Sequence, residues 1–338
     1  MQGQIIKIIS DFYYADTEFG IVECKLRDIL KKRDLKVIVG DFVELEALSH
    51  DNSQAFISKL LPRKNYISHP KVANVSQAVI VSALKNPDFN FEQLDRYIAL
   101  CEYHNIKPVL CFNKSDLLED NSLIDKIKSV YEPLNYDLHF TSVLNNEVSE
   151  EFLQILKSKV SLLFGASGVG KSSVINFLSK SLKLRTSNVS EKTKRGVHTT
   201  RHCQIFKLEN GISIVDTPGF SHVKFDFLLP KDVQNLFPEI ATLNCCKYSD
   251  CLHIHENFCN VLQNLDKIAS SRYSSYLKFI EEAKDYKQKV IYEGLKTESA
   301  VKFNKGKTLT KISERKRVFS RKLQNQNLLI DEDNGHDE

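Results

Sequence analysis

Residues 1–65 alternate short runs rich in Ile, Val and Phe with turn residues. The runs Gln4–Ile9, Gly20–Lys25, Lys36–Val39, Phe42–Glu46 and Gln54–Leu60 carry partial period-two alternation, with Gly20 and Gly40-Asp41 at turns. Such strands, packed so closely, predict a small antiparallel β-barrel, a class that includes the OB-fold. Pro62-Arg63-Lys64 and His69-Pro70 read as a linker. From about residue 75 to 220 the pattern changes. Apolar strands at Ala78–Val81, Pro108–Phe112, Leu138–Thr141, Val160–Phe164, His202–Leu208 and Ile212–Val215 alternate with helical periodicity at Glu92–Tyr103, Leu123–Tyr131, Glu150–Ser158 and Ser172–Leu182. That alternation predicts an α/β layer with a parallel sheet covered on both faces. Beyond Pro230 come a Cys/His cluster, a helical segment over Ile268–Val290 and a charged tail.

Composition adds limits to this picture. The chain has 338 residues, 42% hydrophobic and 27% charged, the profile of a soluble protein with more than one core. Its longest apolar runs stop far short of the roughly 18 residues needed to cross a bilayer. The N-terminus lacks a basic n-region and a long h-region, so neither a signal peptide nor a membrane location is expected. The net charge of +4 hides an uneven distribution: Lys296–Lys322 is strongly basic and Asp331–Glu338 acidic. The basic run can lie along a polyanion, or it can be a solvated tail.

Gly165, Ala166, Ser167, Gly168, Val169, Gly170, Lys171 and Ser172 fit G-x4-G-K-[ST], with an apolar strand before them and a helical pattern after. In such a P-loop the backbone N–H groups, including that of Ser173, curl around phosphate oxygens. The lysine adds charge at the β- and γ-phosphates, and the Ser172 hydroxyl reaches Mg²⁺. Asn113-Lys114-Ser115-Asp116 matches N-K-x-D after its own strand. A carboxylate there accepts two hydrogen bonds from guanine, a donor pair that adenine lacks. Thr141-Ser142-Val143 reads as a base-supporting loop. Asp216-Thr-Pro-Gly219 matches D-x-x-G: Asp216 would hold Mg²⁺ through water, and Gly219 N–H would sense the γ-phosphate. Upstream, Gly196-Val-His198-Thr199-Thr200 can supply Thr199 or Thr200 to Mg²⁺. All these loops follow the C-terminal ends of strands, where open α/β sheets bind ligands.

Their order is unusual. N-K-x-D and its supporting loop precede the P-loop, and the switch and D-x-x-G come last, which is a circular permutation of the ordinary GTPase order. Downstream, Cys246, Cys251, His253 and Cys259 place three thiols and an imidazole in a short span. That set favours a closed structural zinc site in a chain without the spread of cysteines a disulfide scaffold needs. Cys245 and His255 are near-miss alternatives.

With these motifs, the chain resembles the circularly permuted GTPases that assist maturation of the small ribosomal subunit (the RsgA/YjeQ type). The likeness extends over essentially the whole length. It implies an OB-fold barrel (1–65), a permuted P-loop GTPase domain (66–225), a helical zinc-binding domain (226–295) and a charged extension (296–338). It also implies GTP hydrolysis with Mg²⁺, one structural Zn²⁺, and a cytoplasmic, monomeric factor on the 30S subunit and its 16S rRNA, released on hydrolysis. The family's Cys/Cys/His/Cys spacing matches Cys246, Cys251, His253 and Cys259. Where Ras-like GTPases place a water-orienting glutamine after D-x-x-G, this chain has Phe220. His198 is the candidate to replace it, since the family pattern carries a histidine in this switch; the competing role is structural. A GTP-gated RNA-binding scaffold with incidental turnover is the alternative function. No RNA-contact residues can be named from the sequence.

Overall fold

The computed structural model describes residues 1–27, 36–48, 53–67, 70–179, 203–208, 211–216, 225, 227–292, 301–304 and 307–310. Two compact units divide the chain, one of Met1–Lys224 with Lys231–Phe279, the other of Phe225–Pro230 with Ile280–Glu338.

The first unit opens with a closed barrel of β1 (Gln2–Ile9), β2 (Phe12–Thr17), β3 (Gly20–Leu26), β4 (Phe42–Ala47) and β5 (Gln54–Leu60), in the order β1-β2-β3-β5-β4. Neighbours are antiparallel except β3 and β5, which run parallel. The alternation is clear on β3, where Val22, Cys24 and Leu26 turn inward to meet Ile5, Ala15, Val43, Leu45 and Ile57.

One expected strand is corrected. Lys36–Val39 lies outside every strand, and β2 takes its place in the barrel. The buried Asp41 carboxylate accepts the Ile38 N–H at 2.8 Å and pairs with Arg63 at 2.6 and 2.8 Å, which bends this segment out of a ladder. β2 escapes a periodicity reading because only Ala15 of its residues is fully buried. The expected linker is partly structured too, since β6 (Tyr66–Ile67) pairs with β7 (Val72–Ala73).

A six-stranded sheet follows, formed by β8 (Gln77–Ala83), β9 (Lys107–Asn113), β10 (Asp137–Phe140), β11 (Val160–Phe164), β12 (Gln204–Lys207) and β13 (Ser213–Asp216) in the order β10-β9-β8-β11-β13-β12. Helices α1 (Phe91–Tyr103) and α2 (Ser122–Tyr131) cover one face through Leu94, Ile98, Ile127 and Tyr131. Helices α3 (Glu150–Leu156) and α4 (Lys171–Leu178) cover the other through Phe152, Leu156, Val174 and Ile175. Side chains of adjacent residues on β8 and β9 enter opposite cores, so both strands read as continuous apolar runs. The wholly parallel sheet expected above is corrected at one edge, where β12 runs antiparallel to β13. The two are joined by a tight connection in which Leu208 and Ile212 are hydrogen-bonded, too short for a parallel crossover.

Helices α5 (Pro230–Val233), α6 (Pro238–Leu243), α7 (Asn260–Gln263) and α8 (Ser270–Tyr292) follow. Among the described residues, no helix is long and apolar enough to cross a membrane. In the second unit, the Phe225 N–H donates to Glu282 on the last part of α8, and β14 (Val301–Asn304) pairs with β15 (Lys307–Thr310).

Candidate functional site

The segment Gly165–Gly170 leaves the C-terminal end of β11 and turns into α4. Glycine is required at two of its positions. A Cβ on Gly165 would stand 2.3 Å from the Val81 carbonyl oxygen, and one on Gly170, at φ +97°, would stand 2.3 Å from Asn113 Nδ2. The loop can therefore press against β8 and β9 only without side chains there. Lys171 folds back over it, with Nζ donating to the Gly165 and Ala166 carbonyls at 2.8 and 2.7 Å. Ser167 is exposed at the tip, and Ser172 and Ser173 stand half-buried in the first turn of α4.

The N-K-x-D loop leaves β9 beside it. Asn113 Nδ2 donates to the Val169 carbonyl at 3.0 Å, which joins the two motifs directly. Lys114, at φ +65°, lays its chain across the same gap and donates to Gly168 O at 2.8 Å and to Asn86 O. Burial lowers its pKa, with Asp116 opposing. Ser142, fully buried after β10, donates its hydroxyl to Asp116 Oδ1 at 2.5 Å. Ser115 N–H is held by the Thr141 carbonyl. The structure thus brings Asn113, Lys114, Ser115, Asp116 and Ser142 together with the Gly165–Ser173 segment. Asp216 ends β13, which pairs in parallel with the P-loop strand β11. His198, Thr199, Thr200, Gly219 and Phe220 lie outside the described residues.

The Cys/His cluster is a second centre. The ligand atoms of Cys246, Cys251, His253 and Cys259 all lie within 4.8 Å of one another. Cys246 Sγ and Cys259 Sγ are 3.7 Å apart, and His253 Nδ1 is 3.5 and 3.3 Å from them. A tetrahedral zinc with bonds of about 2.3 Å to sulfur would set sulfur–sulfur edges of about 3.8 Å, so the donor set fits that ion. Burial pushes the Cys251 thiol up to about 12, and its two sulfur neighbours add to the rise. At Cys246, burial acts upward, but the backbone N–H groups of Val261 and Asn260 together with the Cys259 and Cys251 thiols outweigh it, and the net shift is downward. Three close sulfurs need a cation to remain thiolates together. Cys245 lies outside the group; its exposed Sγ accepts from Asn260 Nδ2.

Two residues that the spacing does not reveal complete this centre. Gln234 Oε1 lies 3.0 Å from His253 Nε2, which places the proton on Nε2 and turns the Nδ1 lone pair toward the sulfurs. Glu256 accepts backbone N–H groups from Leu252, Ile254 and His255 and so shapes the ligand loop. Burial acts upward on its pKa, but these bonds hold it down at about 2. A carboxylate three residues after the ligand candidate His253 is the only sequence signal for Glu256; Gln234 has none.

The family model described as the RsgA GTPase matches residues 60–226, and that of the RsgA N-terminal domain matches residues 2–57. The chain belongs to the RsgA GTPase family. It is 36% identical to the small ribosomal subunit biogenesis GTPase RsgA of Shouchella clausii, over 85% of this chain and 99% of that one. The RsgA of Caldanaerobacter subterraneus is 39% identical, over 84% and 96% respectively. Among solved structures, YjeQ from Thermotoga maritima superposes with a TM-score of 0.73 at 32% identity, covering 83% of this chain and 98% of that one. YloQ, described as a circularly permuted GTPase, gives 0.70 at 30% identity, covering 84% and 95%. As an RsgA-family member the chain is a GTP hydrolase, and its motif order from Asn113 through Gly165 to Asp216 is the permuted one.

Proposed function

We propose that this GTPase is a late assembly factor of the small ribosomal subunit, which binds 16S rRNA in its GTP state and leaves when GTP is hydrolysed. The ribosomal part rests on relatives of that name, which align over nearly their whole length. The observation that carries the nucleotide site is the Asn113–Val169 hydrogen bond, which unites base-reading and phosphate-binding motifs 56 residues apart in the chain.

In this reading Asp116, oriented by Ser142, accepts the guanine N1–H and 2-amino group, and the stem of Lys114 covers one face of the base. The N–H groups of Gly165–Ser173 and the Lys171 ammonium hold the phosphates. Ser172, Asp216 and one of Thr199 and Thr200 are the groups for Mg²⁺, which neutralises charge on the β- and γ-phosphates when bound. Gly219 N–H senses the γ-phosphate. His198 orients the attacking water in place of the missing glutamine.

Cys246, Cys251, His253 and Cys259 hold a structural zinc ion. The domain plan of this reading divides the chain at residues 65, 225 and 295, and its working form is a cytoplasmic monomer. Turnover measured with GTP or ATP, and with 30S or 50S subunits, tests the proposal. Acceleration by 30S alone and with GTP alone is expected. Equal turnover with and without 30S, while GTP-dependent 30S binding persists, would replace it with the scaffold reading. Phe220 would then be the reason for weak catalysis.

A further inference from the structure

Asp95, in the middle of α1, has a fully buried carboxylate that receives three donors. Arg272 Nη1 and the Tyr131 hydroxyl reach Oδ1 at 2.8 and 2.7 Å, and Ser275 reaches Oδ2 at 2.5 Å. Arg272 is itself buried, forks onto Glu239 at 2.7 and 3.2 Å, and lies over the Phe237 ring at 4.6 Å. It comes from α8, next to Tyr273 and close to Tyr276, whose hydroxyls hold the His253 and Leu252 carbonyls of the metal loop. Glu239 also needs this cation, so the guanidinium balances two buried carboxylates.

Tyr131 is where this cluster meets the sheet. Its ring stacks on Phe91 at 6.3 Å, Phe91 meets Phe89 edge-on at 4.8 Å, and Phe89 meets Phe112 at 5.8 Å. Phe112 then stacks on Phe140 at 5.0 Å. Phe112 immediately precedes Asn113-Lys114-Ser115-Asp116, and Phe140 immediately precedes Thr141-Ser142. The aromatic row therefore ends beneath both loops that present Asp116. Phe89 also belongs to the connection from β8 to α1, in which Asn86 O accepts from Lys114.

From this continuity we infer that Arg272 is a positioning residue for guanine recognition, acting through Asp95, Tyr131 and the aromatic row on the loops that hold Asp116. The inference rests on the proposed base site. Without the guanidinium, Asp95 lies buried beside Glu239 with no cation. Burial already pushes the Asp95 pKa upward, against Arg272 and its hydrogen-bond donors. A carboxyl that protonates or turns outward releases the Tyr131 hydroxyl, and the aromatic row that ends beneath the reading loops loses its anchor at the far end. Packed rows of this kind have discrete arrangements rather than continuous play.

The test compares GDP with IDP, which lacks the 2-amino group that Asp116 accepts, as fluorescent analogues on the full-length, metal-loaded chain. Arg272→Met is expected to weaken GDP about tenfold and to lower the GDP-over-IDP preference about threefold, within the range of coupling through packed networks. Arg272→Lys keeps the charge but not the fork, and recovers part of the loss. Because removing one partner of a buried pair can unfold a protein, Tyr131→Phe provides a second variant. It should stay folded and still lower the preference about twofold. An unchanged preference in both Tyr131→Phe and folded Arg272 variants overturns the inference. Asp116→Asn separates this failure from failure of the base site: it should exchange guanine for xanthine nucleotide, and if it does not, the base site itself is wrong.

Discussion

The metal loop and the nucleotide site solve the same problem, convergence of polar groups, at opposite ranges along the chain. The contacts among the metal-loop ligands span 6, 7 and 13 residues. Those of the nucleotide site span 26 residues from Ser142 to Asp116, 54 from Lys114 to Gly168 and 56 from Asn113 to Val169. The first is a short loop whose ligands lie close along the chain, with Gln234, Tyr273 and Tyr276 reaching it from outside. The second exists because parallel strands β8 to β11 deliver their ends to one edge, so its precision is borrowed from the sheet. Each should therefore fail differently.

The largest effect is expected at the metal loop. If the proposed zinc ion is held here, stripping it with a chelator should remove stabilisation on the order of 10 kcal/mol, and Cys259→Ser a part of it. Hydrogen exchange should show protection lost across Cys246–Cys259 while the barrel strands β1 to β5 keep theirs. Retained protection in the metal loop of demonstrably metal-free protein would mean that packing, not the ion, closes it. At the nucleotide site, Lys171→Ala should reduce affinity for GTP by about a hundredfold, since in the proposed site the lysine is the point charge for the β- and γ-phosphates. Its melting temperature should hardly move, because the lysine meets the loop carbonyls at a half-buried position. A large drop in stability with little loss of affinity would reverse the comparison.

A smaller effect separates the sheet's contribution from that of individual groups. Ser142→Ala removes one charge-assisted hydrogen bond to Asp116, of the kind that contributes about 1.5–3 kcal/mol. Guanine nucleotide affinity should fall by roughly tenfold, with adenine nucleotide still rejected. Calorimetric titration measures it. No change would mean that the backbone positions of β9 and β10 alone aim the carboxylate.

The same contrast explains what could be read from the sequence. P-loop, N-K-x-D and metal ligands are visible because their chemistry restricts residue types at fixed spacing. The sheet was visible because strands buried on both faces have no polar positions, as in Val79-Ile80-Val81 and Val109-Leu110-Cys111-Phe112. β2 was not, since a barrel wall strand with Tyr13, Tyr14 and Asp16 half-buried breaks the alternation. Lys36–Val39 looked like a strand because its apolar residues are buried, but the Asp41–Arg63 pair holds them in a bend. Gln234 and the Arg272–Asp95 pair depend on contacts between distant segments and have no local pattern to betray them.

The mildest prediction concerns the carboxylate that shapes the metal loop. Glu256 is held at about 2 in the folded chain, below its ordinary 4.5, by backbone N–H groups that outweigh the upward pull of burial. A depressed folded pKa means that the unfolded chain binds the proton more tightly. The contribution of Glu256 is therefore complete above about pH 4.5 and is lost as pH falls toward 2. Glu256→Gln keeps the side-chain shape and one acceptor oxygen but has no charge to lose. Urea unfolding between pH 6 and 3 should show a shallower acid slope for Glu256→Gln than for the parent, with zinc held equal in both. Parallel slopes would mean that the Leu252, Ile254 and His255 amides are held as well by a neutral acceptor. The metal loop would then owe its shape to its ligands and to the contacts from Gln234, Tyr273 and Tyr276, not to the charge of Glu256.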